Sequence, residues 1–165
     1  MKHAVRSAGT LLLIGTLMMG TGFAVCAEEE VVEPAGYHVY ENTDDYVSDT
    51  WYGIARGTYL KSGTSSLAKK DSTHVACAGS TTAHSKCDRV YVRIYLDKST
   101  TGKSGSWGTV DYWTGTAANA TVATASSGSY KVTTNKYYRV TGAHSATKGT
   151  TTESTDSCTD AMLLN

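Results

Sequence analysis

The chain has 165 residues, of which 40% are hydrophobic and 18% charged, and its formal net charge is zero at pH 7. This composition excludes a chain that is disordered throughout, and the balanced charge lacks the basic excess of a nucleic-acid-binding domain. Length and composition together indicate one globular domain, and we predict no nucleic-acid partner.

The first 27 residues have the pattern of a cleaved signal peptide. Two basic residues precede an apolar run over residues 9–25, and small or branched side chains precede a cleavage point after Ala27. Lipidation of Cys26 would require a small residue in place of Val25, so the lipoprotein alternative is the weaker one. No later stretch is long and apolar enough to span a bilayer. The sequence therefore predicts residues 1–27 as a signal peptide of a secreted, extracellular protein without a membrane span.

An acidic segment follows at residues 28–50. It holds eight acidic residues and no Lys or Arg, whereas residues 51–165 hold 13 basic and seven acidic residues. We predict a poorly ordered segment that aids solubility. Two alternatives remain open. The segment could fold back on the basic body until a polyanion displaces it, or Asp44, Asp45 and Asp49 could bind calcium, although the EF-hand loop pattern is missing.

Residues 51–165 read as an all-β domain. The clearest strand is residues 88–98, in which apolar and polar side chains alternate, as in an antiparallel sheet with one wet face. After a loop, residues 107–116 return as its partner strand. Residues 65–72 form at most one helical turn. Further strands are predicted over residues 57–61, 73–80, 120–125, 129–133, 136–144 and 151–158. Short strands at this spacing predict a single antiparallel β-sandwich.

The stretch "YYRVTGAHSATKG", residues 137–149, resembles the penultimate strand and following turn of fibronectin type III and immunoglobulin-like domains. The resemblance implies that Tyr138 forms a hydrogen-bonded corner and that Val140 occupies the place of a buried cysteine. Tyr138, Val140 and Gly142 then point inward, His144 closes the strand and Gly149 serves the turn.

A second resemblance covers residues 56–160. The segments "RGTYLKSGTSSLAK", "GSTTA", "DRVYVRIYL" and "YYRVTGAHSATKGTTTES" are similar to a family of small secreted proteins of unknown function from Gram-positive bacteria. The resemblance implies secretion and a β-sandwich. It implies no activity.

Three cysteines remain after signal-peptide removal: Cys77, Cys87 and Cys158. Three single bridges are possible, and the sequence does not choose among them. We predict a disulfide between Cys77 and Cys87, which would close a loop across a strand, turn and strand and contribute about 2.8 kcal/mol by the chain-entropy model. Cys158 is then unpaired, an alternative partner, or the link of a possible dimer. The spacing of His84 to these cysteines matches no zinc motif, and nothing orients it as the base of a catalytic thiol.

His144 and Glu153 lie nine residues apart around a predicted turn and could face each other across a hairpin. The ordinary outcome is a cross-strand pair. A hydrolase with His144 and Glu153 as an acid–base couple is the alternative, but it needs a cleft and further groups that the sequence does not supply. We predict no enzyme, no catalytic residues, no cofactor and no metal site.

The aromatic residues carry the strongest functional signal. All 14 aromatic residues after the signal peptide are Tyr or Trp, side chains with a polar end. Arg89, Tyr91, Arg93 and Tyr95 share the wet side of one strand, here called the Tyr/Arg face. Exposed Tyr with Arg is typical of sugar-stacking platforms and interfaces, although such ladders also form as plain cross-strand pairs.

From this face we predict a secreted, non-enzymatic protein that binds a cell-surface or extracellular ligand, a glycan or wall polymer. The alternative is a bacteriocin-like, antagonistic effector that acts on a surface protein of another cell.

Overall fold

A computed structural model describes residues 30–32, 36–53 and 58–165 of the chain. The predicted signal peptide lies outside these residues. The described residues form ten strands: β1 (Glu30–Val32), β2 (Gly36–Thr43), β3 (Tyr46–Gly53), β4 (Leu60–Lys69), β5 (His74–Ser99), β6 (Gly108–Ser126), β7 (Tyr130–Lys131), β8 (Lys136–Lys148), β9 (Thr151–Cys158) and β10 (Met162–Leu164). They contain no helix of the length and apolarity that crossing a membrane requires.

All ten strands belong to one sheet. Its order is β1-β9-β8-β5-β4-β3-β2, with β6 and β7 paired to β5 and β10 paired to β8. Every pair is antiparallel except β1 with β9. The prediction of an all-β, antiparallel fold is confirmed. The two layers of the predicted sandwich, however, are the two limbs of a single curled sheet, which has the form of a half-barrel.

Strand β5 runs through both limbs. Up to Ala83 it pairs with β4, and from Arg89 onward it pairs with β8. Strand β6 follows β5 on both sides of a register shift between Thr82 and Cys87. The sequence predicted two separate strands here, because the alternation of side chains is interrupted at this irregular segment. An interruption of this kind also marks a bulge, where a strand bends without ending.

The two halves of β5 face each other across the core. The Thr81 hydroxyl on the first half donates to the Tyr91 carbonyl on the second, at 2.7 Å. A Cβ atom on Gly79 would lie 2.3 Å from the Ile94 side chain. The bend therefore folds the strand back over itself, and the two limbs enclose the core between them.

The core is made of the inward side chains of both limbs. The alternation predicted for residues 88–98 is confirmed, because its four inward residues are fully buried. The largest fully buried apolar side chains are Val47, Leu60, Leu67, Val75, Val90, Val92, Ile94, Leu96, Tyr138 and Leu164. Burial of aliphatic side chains from both limbs supplies the main force that holds the curled sheet closed.

The hydrogen-bonded corner is present at Tyr138. Its ring is 1% exposed, and its hydroxyl donates to the Thr133 carbonyl and accepts from the Thr133 N–H, both at 3.0 Å. Val140 and Gly142 are buried, as predicted, and Gly149 has a left-handed φ of 60° in the turn. The strand does not close at His144, since β8 continues to Lys148.

One segment differs from the sequence prediction, and residues 65–72 stay within the prediction of at most one helical turn. Residues 36–50, expected to be poorly ordered, form β2 and most of β3, and Asp49 is completely buried. Residues 65–72 hold no helical turn, because β4 runs to Lys69 and buries Leu67 against the core. In both cases backbone pairing with a neighbouring strand outweighs local composition.

The predicted disulfide between Cys77 and Cys87 is absent, and all three described cysteines are free. Cys77 lies in the first half of β5, opposite Leu67 of β4, and Cys87 lies beyond the bend. Across the bend Thr81 meets Tyr91 and Gly79 meets Ile94, so Cys77 lies beside residues beyond Ile94 and not beside Cys87. A disulfide requires Cα atoms within about 7 Å. The prediction assumed a turn between these cysteines, and the structure has a continuous strand.

Candidate ligand-binding face and groove

The Tyr/Arg face lies on the outer side of β5, between β6 and β8. Because side chains alternate along a strand, Arg89, Tyr91, Arg93 and Tyr95 all point away from the core. The guanidinium carbons of Arg89 and Arg93 lie 5.9 and 5.8 Å from the centre of the Tyr91 ring. Both distances are in the range of cation–π contacts. The four predicted residues therefore form one continuous ladder.

Two residues of β6 extend the face. The Arg93 guanidinium carbon lies 5.1 Å from the Tyr112 ring centre, and its Nε donates to the Thr114 hydroxyl at 3.1 Å. The rings of Tyr95 and Tyr112 are 6.1 Å apart, and Tyr112 is 55% exposed. The sequence prediction omitted both residues. The register that sets Tyr112 opposite Tyr95 was the missing information.

Arg89 and Arg93 are cations without a carboxylate partner among the described residues. Arg139 pairs with Asp97 at 3.3 Å and Lys148 with Asp88 at 3.1 Å, but neither arginine of the Tyr/Arg face has an acidic oxygen within 4 Å. A hydrogen bond to the Tyr95 side chain raises the pKa of Arg93 further. The face thus presents two permanent positive charges held against aromatic rings.

A groove opens at the Tyr95 end of the face. Strand β1 pairs only with the first three residues of β9, and the remaining edge of β9 lies across from β2 and β3. The groove has a volume of about 610 Å³. It is lined by Gly36, His38, Tyr40, Asp49, Trp51, Tyr95, Thr141, Gly142, Ala143, Ser154, Thr155, Asp156, Ser157 and Cys158. We call it the β9 groove.

Asp49 links the two walls of the β9 groove, which are formed by β2 and β3 on one side and by β9 on the other. Its buried carboxylate accepts from His38 Nδ1, with both oxygens at 2.9 Å, and from the Cys158 backbone N–H at 2.7 Å. Tyr40 stacks on the His38 ring at 5.9 Å. Burial, and then the negative charges of Asp49 and its neighbours, raise the pKa of Tyr40. This wall is therefore fixed before any ligand arrives.

His144 and Glu153 are not opposite each other, so they form neither the expected cross-strand pair nor the alternative acid–base couple. His144 lies opposite Thr155, and its ring bonds to the hydroxyls of Ser157 (Nε2, 2.8 Å) and Thr81 (Nδ1, 2.9 Å). Since the Thr81 proton goes to the Tyr91 carbonyl, we assign the imidazole proton to Nδ1.

Glu153 serves another purpose. Its Oε2 accepts from the backbone N–H groups of Tyr59 and Leu60 at 2.8 and 2.6 Å. The carboxylate thereby anchors the start of β4 to β9. Its Oε1 has no hydrogen-bond partner among the described residues. We could not have found this role in the sequence, because Glu153 and Leu60 meet only when the sheet curls.

His144 and Ser157 are as close to each other as the base and the serine nucleophile of a hydrolase. They share no other property with such a pair. Burial lowers the pKa of His144 to about 4, which makes it a weak base at neutral pH. Both side chains point into the core, and the Ser157 hydroxyl also bonds to the Ser65 hydroxyl at 2.6 Å. The cluster is therefore a hydrogen-bonded part of the core.

The cysteine thiols are not activated. Burial raises the pKa of Cys77 to about 12 and also raises the pKa values of Cys87 and Cys158. A nucleophilic thiol requires a lowered pKa. Within the described ranges, no three side chains of His, Cys, Asp or Glu are grouped to hold a metal ion.

These observations define an all-β protein with one curled antiparallel sheet that carries a cationic aromatic face. Over residues 25–162 the chain matches a family of unknown function, DUF6147, and it belongs to that family. The resemblance to a family of unknown function is thus confirmed. No curated protein and no solved structure matches the chain. The fibronectin type III and immunoglobulin-like resemblance stays a prediction.

Proposed function

We propose that the protein is secreted and binds an anionic extracellular ligand, a charged glycan or cell-wall polymer, on the Tyr/Arg face. One observation carries the proposal: Arg89 and Arg93 stand on an outward strand face without any carboxylate partner among the described residues. In contrast, two cations of β8, Arg139 and Lys148, are paired with acidic side chains. Two unmatched guanidinium groups on one face favour an anion.

The ladder also prepares the arginines for binding. Contact with tyrosine rings restricts each guanidinium, so less side-chain entropy is lost when a ligand binds. The planar N–H groups suit the two oxygens of a phosphate or carboxylate. Tyrosine rings and hydroxyl groups suit sugar faces and sugar hydroxyls. An open sheet surface suits an extended polymer better than a small molecule, which prefers a concave site.

Retention on isolated polymer tests the proposal. Purified cell wall from Gram-positive bacteria is incubated with the mature protein and sedimented. Arg93→Ala and the double variant Tyr91→Ala/Tyr95→Ala should lose most of the bound fraction, and higher salt should release the wild type, because exposed charges are screened. Lys61→Ala and Tyr52→Ala, on β4 and β3, are matched controls and should bind normally. Equal retention of the wild type and all four variants would contradict the proposal.

The same purified cell wall distinguishes the proposed function from that of an antagonistic effector. An effector of that kind predicts inhibited growth of neighbouring strains together with no retention on wall or polysaccharide. Secretion has its own test, since the intact mass of protein from culture medium should correspond to a chain that begins at Glu28.

A further inference from the structure

We infer that the β9 groove binds a positively charged group of the same ligand, so that the preferred ligand carries a phosphate and an ammonium group close together. The inference rests on the proposed function, because the phosphate is assigned to the Tyr/Arg face. It adds a second subsite and a ligand class, a zwitterion.

The charge of the groove is opposite to that of the face. Among the residues that the structure describes, no Lys or Arg lines the groove, and the lining carboxylates are Asp49 and Asp156. The described lining thus has two carboxylates and no permanent cation. An excess of carboxylates repels a phosphate and attracts a cation.

The carboxylates are not equivalent. Asp49 is committed to His38 and to the Cys158 backbone, as its hydrogen bonds show. Asp156 is exposed and has no ion pair or side-chain hydrogen bond to any other described residue. Asp156 is therefore the carboxylate that is free to meet an ammonium group.

Aromatic rings complete the subsite. Tyr40 is 55% exposed and Tyr95 is half-buried, and both line the groove. The Tyr40 ring is held by its stacking on His38. Ammonium groups bind to the faces of such rings, with most benefit where water is partly excluded. One free carboxylate beside two tyrosines is suited to an ammonium group.

The spacing allows one ligand to reach both subsites. Arg93 of β5 lies opposite Ala143 of β8, which lies opposite Asp156 of β9. Two strand spacings separate Arg93 and Asp156 by about 10 Å along the sheet. The side chains of Arg and Asp shorten the gap that a ligand must bridge. Tyr95 is shared, since it bonds to Arg93 and lines the groove.

Calorimetric titration with phosphocholine, choline and inorganic phosphate tests the inference on the mature protein. We expect phosphocholine to bind at least about tenfold more tightly than phosphate. Asp156→Asn should remove this advantage and leave phosphate binding unchanged. Tyr40→Ala should weaken the binding of phosphocholine. Tyr40→Phe retains the ring and should bind phosphocholine normally. Glu41→Gln is the matched control, because it removes one negative charge from the other side of β2.

The outcomes separate the two proposals. If phosphate and phosphocholine bind equally, and Arg93→Ala weakens both, the second subsite is wrong and the proposed function stands. If neither binds, and wall retention also fails, both are wrong. If Asp156→Asn and Glu41→Gln weaken phosphocholine equally, the groove has no specific role, and the inference is overturned.

Two sources could supply the paired charges. Vesicles of phosphatidylcholine present them as a lipid headgroup, and poly(glycerol phosphate) with alanyl esters presents them on a polymer. Sedimentation with vesicles would assign the lipid, and retention on the esterified polymer, lost after alkaline removal of the esters, would assign the polymer. Either result supports the zwitterion site, and binding to neither contradicts it.

Discussion

His144 is a core residue, and its surroundings in the structure explain why a histidine is buried there. Its ring occupies space left by two glycines: a Cβ on Gly63 would lie 2.5 Å from the ring, and one on Gly142 would lie 2.7 Å from Nε2. Both ring nitrogens are hydrogen-bonded to hydroxyl groups. Burial of a neutral, fully bonded imidazole is favourable, whereas burial of its charged form is costly.

The lowered pKa of His144 makes the stability of the protein depend on pH. The pKa is about 4 in the folded protein and about 6.5 in an unfolded chain. As the pH falls below 6.5, the unfolded chain binds the proton first. The free energy of unfolding therefore decreases until the pH reaches about 4. The loss is on the order of 3 kcal/mol. Urea unfolding at pH 7 and pH 4 should show that His144→Gln lacks this part of the pH dependence. Equal dependence in both proteins would contradict the assignment.

Glu153 should be important for stability through its two backbone hydrogen bonds. Glu153→Ala leaves the N–H groups of Tyr59 and Leu60 without an acceptor and should cost about 2–4 kcal/mol. Glu153→Gln retains one acceptor oxygen and should cost less. Denaturant unfolding of both variants measures the difference. An equal cost for Gln and Ala would show that the carboxylate charge matters more than these hydrogen bonds.

At the scale of the elements, the bent strand β5 sets the fold. Its two halves approach so closely at Gly79 that a side chain there would meet Ile94 at 2.3 Å. Gly79→Ala should therefore force the limbs apart and destabilise the protein by about 1–3 kcal/mol. Gly108→Ala, in the same kind of strand with no atom within 4 Å of its new Cβ, is the control. Similar melting temperatures for the two variants would show that the limbs can separate without cost.

The connection from β7 to β8 depends on the Tyr138 hydroxyl. Tyr138→Phe keeps the buried ring but removes its hydrogen bonds to both backbone groups of Thr133, which should cost about 1–3 kcal/mol. Tyr137→Phe, one residue earlier and on the outer side of β8, should have little effect. Thermal unfolding of the pair measures this directly. Equal melting temperatures would mean that ring burial alone holds the corner.

At the scale of the whole molecule, the three free cysteines distinguish the observed fold from the predicted disulfide. Alkylation of the mature protein without reductant should modify Cys158 first, because Cys77 and Cys87 are completely buried. All three should be modified once the protein is unfolded. Mass spectrometry counts the added groups. Only one modified cysteine in the unfolded protein would establish a disulfide, and a dimer lost on reduction would assign a bridge between copies.

Charge is also arranged at this scale. Asp49 of β3 and Asp156 of β9 line the β9 groove together with Tyr95 of the Tyr/Arg face. Composition could show only that residues 28–50 are acidic and that the rest is basic. The curled sheet brings part of the acidic segment beside the cationic face.

The sequence by itself determined the strands with strict alternation, the inward set of β8 and the outward side of the Tyr/Arg face. Alternation of side chains is a local property, so neighbouring residues suffice to reveal it. The tertiary structure alone decided that residues 74–99 form one bent strand, that Cys77 and Cys87 lie too far apart to bond, and which residues meet His144 and Glu153. Those facts depend on contacts between distant residues, and a single sequence contains no direct record of which distant residues touch.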